Sequence, residues 1–297
     1  MTEKQTRRRA LKQMVAGAAA LAVSPALSFA SNAQILESSN PQPLKGNINH
    51  SVCRWCYGDM PLDDLCVAAK SLGIKAIDLI GPSEWHILKK HGLDSSMCNG
   101  AEINLVDGWN EPKFHEQLIK NYAEMIPKVA AAGYKNLICF SGNRRGMNDL
   151  VGMRNCAEGL RKIMPLAEKH GVVLVMELFN TKVDHKDYMC DSSLWGVALC
   201  DMLGSPNFKL LYDIYHMQIN EGNVIDTIRK YHFYFAHYHT AGVPGRHEID
   251  ETQEIYYPAI MKAILETGFK GYVAQEFIPT WKDPIAALRD GVTRCDV

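Results

Sequence analysis

The chain has 297 residues, 47% of them hydrophobic and 22% charged, which is enough for one large domain or two small ones with a sizeable core. Its formal charge is −1. Without the first thirty residues, which hold Lys4, Arg7, Arg8, Arg9 and Lys12 against Glu3, the body carries 27 basic and 32 acidic residues, a formal −5. That balance excludes the basic face through which a chain grips nucleic acid or an anionic membrane.

Residues 1–33 read as a cleavable export signal. Thr6-Arg7-Arg8-Arg9-Ala10-Leu11-Lys12 precedes the apolar run from Met14 to Leu27, and small residues follow near Ala30 and Ala33. The paired arginines before Leu11 and Lys12 resemble the twin-arginine signal, with Ala10 where that motif prefers Phe. The apolar run is too short for a membrane helix of about 20 residues. The expected location is therefore periplasmic, reached by the twin-arginine route, with no membrane attachment after cleavage. Residues 34–45, with Ser38, Ser39, Asn40, Pro41 and Pro43, read as a linker.

From residue 46 to 297 strand and helix patterns alternate. The predicted strands are Asn47–Cys53, Ala76–Ile80, Ser95–Asn99, Asn136–Phe140, Val172–Met176, Phe208–Tyr212, Phe233–Tyr238 and Tyr272–Gln275. Between and after them fall helical patterns over Pro61–Leu72, Trp85–Lys90, Phe114–Ala132, Asn148–His170, Ser192–Leu203, Val224–Tyr231, Tyr257–Thr267 and Pro284–Arg294. Many of these end at a glycine such as Gly73, Gly133 or Gly171. Val172–Met176 is a continuous apolar run, as a parallel strand buried on both faces requires. Eight strand–helix repeats in about 250 residues predict an α/β fold, a single-domain (β/α)8 TIM barrel. A doubly wound open sheet is the rival, but no G-x-G-x-x-G follows the first strand.

Nine cysteines, scattered from Cys53 to Cys295, do not form the dense even pattern of a disulfide scaffold. Cys53-Arg54-Trp55-Cys56 has the spacing of a redox or zinc pair. It stands alone at a strand end, and buried structural thiols are the expectation.

Barrel active sites lie at the carboxyl ends of the strands. The fifth to eighth strands end in Glu177, Asp213, His239 and Glu276. A carboxylate directly after an apolar strand is costly to bury unless it is paired or bound to a cation, and three of them with one imidazole converge at one rim. Three carboxylates and an imidazole suit Mn²⁺ or Mg²⁺, with Co²⁺ and Zn²⁺ left open. His237 is expected to pack, on the opposite side of a regular strand from His239. Trp55, Tyr57 and Trp109 lie in loops at the same rim and either cover the site or fill core. Asn143-Arg144-Arg145, after the fourth strand, reads as a solvated loop with some capacity for an anion. His86, His91 and His185 carry no usable context.

These residues resemble the xylose-isomerase-like barrels, which include hydroxypyruvate isomerases and ketose 3-epimerases. The most specific stretch is Val243-Pro244-Gly245-Arg246-His247-Glu248, similar to the loop after the seventh strand in hydroxypyruvate isomerases. Glu177-Leu178-Phe179-Asn180, Asp213-Ile214-Tyr215-His216 and Glu276-Phe277-Ile278-Pro279 support it. Two departures bear on the substrate: His239 stands where hydroxypyruvate isomerases commonly have Gln, and Leu178 where they tend to have Pro. The resemblance implies a metal held by Glu177, Asp213, His239 and Glu276, with Glu177 and Glu276 also the acid–base pair. It implies substrate contacts from His216, Arg246, Asn180 and Trp55, and isomerisation of hydroxypyruvate to tartronate semialdehyde through a cis-enediolate. Ketose 3-epimerisation and inosose dehydration stay open, as does a periplasmic binding protein without catalysis. A nuclease on the same barrel would need further histidines where this chain has Asn99 and Ser141. The expected partner is a small hydroxy-carbonyl or sugar molecule and not nucleic acid, with homo-oligomerisation left open.

Overall fold

The computed structural model describes residues 43–297; the signal segment and residues 34–42 of the linker lie outside the described residues. Eight short strands close on themselves: β1 (Asn49–Cys53), β2 (Ala76–Ile80), β3 (Asp94–Cys98), β4 (Asn136–Cys139), β5 (Val173–Glu177), β6 (Phe208–Asp213), β7 (Phe235–Thr240) and β8 (Tyr272–Gln275). Neighbours pair in sequence order, all parallel, and β8 returns to β1 from Asn49↔Tyr272 to Val52↔Gln275. Closure leaves no edge for another chain to extend, and the fold is the expected single-domain barrel.

The strands form where runs such as Val173-Leu174-Val175-Met176 bury both faces. The helices form where one face is apolar. They are α1 (Leu62–Ser71), α2 (Trp85–His91), α3 (His115–Ala132), α4 (Asp149–Arg161), α5 (Met164–His170), α6 (Ser193–Leu203), α7 (Ile214–Asn220), α8 (Val224–Tyr231), α9 (Tyr257–Glu266) and α10 (Pro284–Cys295). In α3 the buried residues Leu118, Tyr122, Met125, Ile126 and Val129 recur at helical spacing. Gly133 then closes that helix at φ 85°, a backbone angle that side chains disfavour.

Three features depart from expectation. The helix read over Asn148–His170 is two helices, α4 and α5, because Pro165 has no N–H to give and its ring collides with the carbonyl of Arg161, where α4 stops. α7 follows β6 with no loop, since Asp213 caps it by accepting the His216 backbone N–H at 3.1 Å. β5, β6 and β7 run one or two residues past their predicted ends, so Glu177, Asp213 and His239 belong to the strands themselves.

All nine cysteines are free, and Cys53 and Cys56 form no disulfide. Trp109 is fully buried against Tyr122, ring centroids 5.4 Å apart, and Tyr57 is buried too, so both are core rather than cover. No described helix is long and apolar enough to cross a membrane.

Candidate active site

The parallel register brings the last strand residues together. Asp213 of β6 lies opposite His239 of β7, His239 lies opposite Ala274 of β8, and the Glu276 N–H donates to the Thr240 carbonyl at 2.9 Å. Glu177, at the end of β5, completes the set. One side-chain ligand atom from each of Glu177, Asp213, His239 and Glu276 lies within 4.8 Å of every other, and all four residues are buried.

Two cations hold this anionic cluster. Glu276 Oε2 lies 2.8 Å from His239 Nδ1 and 2.7 Å from Arg246 Nη2, while its Oε1 accepts the Trp55 indole N–H at 2.9 Å. Burial opposes the charge on Glu276, yet these partners hold its carboxyl well below the usual range. Burial, with the neighbouring Glu276 charge, pushes Glu177 up to about 7 and Asp213 well above a normal carboxylate. Burial would lower His239, but Glu276 and the other anions around it raise it well above an ordinary histidine. The site is thus short of positive charge.

The donor set fits a divalent cation. Glu177 Oε1 is buried without a hydrogen-bond partner, as buried polar atoms seldom are, while the equally unpartnered His216 Nε2 and Arg246 Nε carry N–H groups that can only donate. Opposed ligands of an octahedral Mg²⁺ or Mn²⁺ stand ~4 Å apart, which the four groups already approach.

His216 is buried beside Asp213, with Nε2 3.6 Å from Asp213 Oδ2. Asn180 sets its tautomer. The Asn180 amide oxygen accepts the Val183 and Asp184 backbone N–H groups, so its nitrogen faces His216 and donates to Nδ1 at 2.7 Å. The proton of this ring therefore sits on Nε2, pointing at the site, and burial keeps the ring neutral by lowering its pKa well below the usual value. Asn180, which the resemblance implies as a substrate contact, is placed by the structure against His216. It is fully buried and absent from the cleft wall.

Arg246 reaches the cluster because the loop after β7 turns sharply. Gly245 sits at φ 96° and Arg246 itself at φ 59°. Its guanidinium lies over Trp55 and Tyr215, 5.1 and 5.5 Å from the ring centroids. A cleft of about 470 Å³ opens onto Glu177, Glu276, Arg246 and Trp55, and its far wall is largely apolar, with Leu79, Phe140 and Phe179. His185 also lines it, stacked on Phe179 with centroids 4.2 Å apart. A second cavity of about 430 Å³, lined by residues such as Lys135, Lys209 and Lys270, holds none of the cluster.

The sequence reading misses Asp78 and misplaces His237. Side chains alternate along a strand, so 237 and 239 share one face of β7, and both rings turn inward with centroids 5.1 Å apart. Each faces Asp78 of β2, His237 Nε2 at 2.8 Å and His239 Nε2 at 3.0 Å. The signal was the lone acid in the apolar strand Ala76-Ile77-Asp78-Leu79-Ile80. Arg144 and Arg145 are spent internally. Arg144 bonds Asp149, Asp191 and the Tyr188 and Met189 carbonyls, and Arg145 pairs with Asp107 and Glu111, which leaves little for an anion.

Comparison with known proteins agrees with the fold. The family model described as "Xylose isomerase-like TIM barrel" matches residues 66–294. The hydroxypyruvate isomerase of Escherichia coli K12 is 27% identical over 235 residues, 73% of this chain and 90% of that one. The putative hydroxypyruvate isomerase of Homo sapiens is 31% identical over 122 residues, 41% of this chain and only 44% of that protein's length. Among solved structures, an AP endonuclease, family 2, from Brucella melitensis superposes with a TM-score of 0.72 at 23% identity, covering 81% of this chain and 97% of that one, a likeness of fold.

Proposed function

Because the chain belongs to the xylose isomerase-like TIM barrel family, we propose that it is a metal-dependent isomerase of a small hydroxy-carbonyl compound, with hydroxypyruvate to tartronate semialdehyde as the first reading. The observation that carries this is the convergence of Glu177, Asp213, His239 and Glu276 from the ends of four consecutive strands. The similarity to the Escherichia coli enzyme supports the reaction class.

In this reading those four residues hold the cation, with Mn²⁺ or Mg²⁺ preferred for an oxygen-rich set. When bound, the cation supplies positive charge that polarises a carbonyl and stabilises the oxyanion formed when a neighbouring C–H proton leaves. Isomerisation moves one proton between adjacent carbons and one between their oxygens. Glu177, pushed up to about 7, is poised to take and return the carbon proton at neutral pH. Glu276 is held ionised by Arg246 and His239, with Trp55 bonded to its second oxygen, and as the second base of the pair it would carry the proton that moves between the substrate oxygens. His216 Nε2–H is free to donate to a substrate oxygen, and the unpartnered Arg246 Nε–H to another.

One observation favours a second reading, epimerisation of a larger neutral ketose. Arg246 is the one arginine or lysine lining the cleft, and it is already bonded to Glu276, so a substrate carboxylate has little cation left to it. The apolar wall of Leu79, Phe140 and Phe179 instead suits the C–H face of a sugar. On this route one glutamate removes the proton and the other replaces it on the opposite face. The signal resemblance in residues 1–33 supports a periplasmic site of action.

Turnover of metal-loaded protein in heavy water, offered hydroxypyruvate, ketoses and inososes, tests the reading. Deuterium is expected at the reacting carbon of whichever substrate is consumed. Turnover that leaves no deuterium in substrate or product points to hydride transfer and against the two glutamates as proton carriers.

A further inference from the structure

Asp78 is fully buried in the middle of an apolar strand, and every side of its carboxylate is occupied. Oδ1 lies 3.0 Å from His239 Nε2 and 3.4 Å from Cys53 Sγ, and Oδ2 lies 2.5 Å from Ser96 Oγ and 2.8 Å from His237 Nε2. The strand is distorted to place it there. The β2–β3 register slips on both sides of Asp78, and Leu79 sits at φ 54°, a left-handed conformation uncommon for any residue with a branched side chain. Such bulges re-aim side chains beside active sites, and strain of this kind persists only where the surroundings impose it.

An ionised carboxylate only accepts, so the His239 nitrogen facing Asp78 carries a ring proton. The other nitrogen, Nδ1, faces Glu276 Oε2 at 2.8 Å and Glu177 Oε1 at 3.4 Å, so in the metal-free chain the ring is a cation that donates from both nitrogens, and a metal bound there displaces the Nδ1 proton while Asp78 keeps the one on Nε2. We propose that Asp78 is a positioning residue that fixes His239 in the tautomer and orientation whose Nδ1 lone pair serves the metal, with Ser96 and His237 bracing its second oxygen. This rests on the metal site of the preceding reading and extends it to a carboxylate one shell further out, a layer that orients metal-bound histidines.

A rival use of the same atoms is a second metal site, because Cys53, Asp78 and His239 also bring ligand atoms within 4.8 Å of one another. The geometry disfavours it. Both Asp78 oxygens are engaged by side chains that hold the carboxylate in place, and neither Cys53 nor Asp78 lines the cleft, whereas Glu177 and Glu276 of the first set do.

The test uses the full barrel, purified metal-free, with Mn²⁺ as the probe in equilibrium dialysis. Asp78→Asn keeps the size but offers one acceptor oxygen where both histidines now find one. Mn²⁺ affinity is expected to fall about 10–100-fold, while the circular dichroism of the metal-free chain is retained. Equal Mn²⁺ affinity in the wild type and the variant overturns the role of Asp78 alone. A wild type that takes up no Mn²⁺ overturns the metal site and, with it, this inference. A purely structural role is separated by a spectroscopic signature in the wild-type chain, which also serves if the variant fails to fold. Nitrogen-15 histidine spectra of the Zn²⁺-loaded form, with the His239 ring assigned by difference from His239→Gln, are expected to show His239 protonated at Nε2 and shifted by metal at Nδ1. Protonation at Nδ1, or metal at Nε2, refutes the proposal.

Discussion

Glu276→Gln probes the proposed chemistry at its most crowded point. The carboxylate takes the Trp55 N–H at 2.9 Å on one oxygen, and Arg246 and His239 at 2.7 and 2.8 Å on the other. An amide has a single acceptor oxygen. Turned toward Arg246 and His239, it sets its own NH2 against the Trp55 N–H; turned the other way, it sets NH2 against both cations. Hydrogen bonds to charged groups contribute about 1.5–3 kcal/mol and neutral ones about 1 kcal/mol. Weakening two of the first kind and losing one of the second removes about 2–5 kcal/mol from the organisation of the cluster. Relief of repulsion with Glu177 and Asp213 offsets part of that. Catalysis loses more, because the group that gives or takes a proton is gone, an effect of about 10²–10⁴-fold. Steady-state kcat at saturating Mn²⁺, on whichever substrate the screen identifies, is expected to fall at least ~10²-fold while circular dichroism stays unchanged. A folded variant with kcat within about tenfold of wild type would remove Glu276 from the proton transfer.

Two further outcomes follow from charge. Glu177 is raised from a reference near 4.5 to about 7, so between those values the folded, metal-free chain retains a proton the unfolded chain has released. Its contribution to stability is present below about pH 4.5 and lost as pH rises through about 7, with Asp213 acting in the same direction. A bound cation relieves the repulsion, so the rise in Tm on adding Mn²⁺ should be larger at about pH 8 than at about pH 5.5; equal shifts contradict this. For export, Arg7→Lys with Arg8→Lys is expected to retain the precursor in the cytoplasm, whereas wild-type mature protein begins near Ser31 or Gln34 by mass spectrometry. Unchanged export of the double variant overturns the twin-arginine reading.

The barrel was legible because its signals are local. Strand and helix patterns alternate eight times, with apolar runs such as Val172–Met176 among the strands and glycines such as Gly133 closing six of the predicted helices. The four clustered side chains were legible for a related reason, each being a polar residue at the end of an apolar strand. Asp78 was not, because a single acid inside Ala76–Ile80 looks like an exception until the closed sheet carries it to His237 and His239, some 160 residues away in sequence. The misplacement of His237 was an error of parity, since residues two apart on a strand share a face. Asn180 shows another limit. The family resemblance implied a substrate contact for it, and only the structure shows its bond to a ring on α7, a helix hidden in the apolar sequence after Asp213. The Arg144-Arg145 pair looked like a surface loop, and only the fold reveals the four carboxylates that take up its charge.

The central claim is that the ends of β5 to β8 form one divalent-metal site on which activity depends. Titrating the chelator-treated protein with Mn²⁺ by calorimetry tests it most directly. About one ion per chain is expected, with activity restored in step with occupancy, and no binding in Asp213→Ala or His239→Ala. Full turnover by the chelator-treated protein, or Mn²⁺ binding that survives both substitutions, would contradict it.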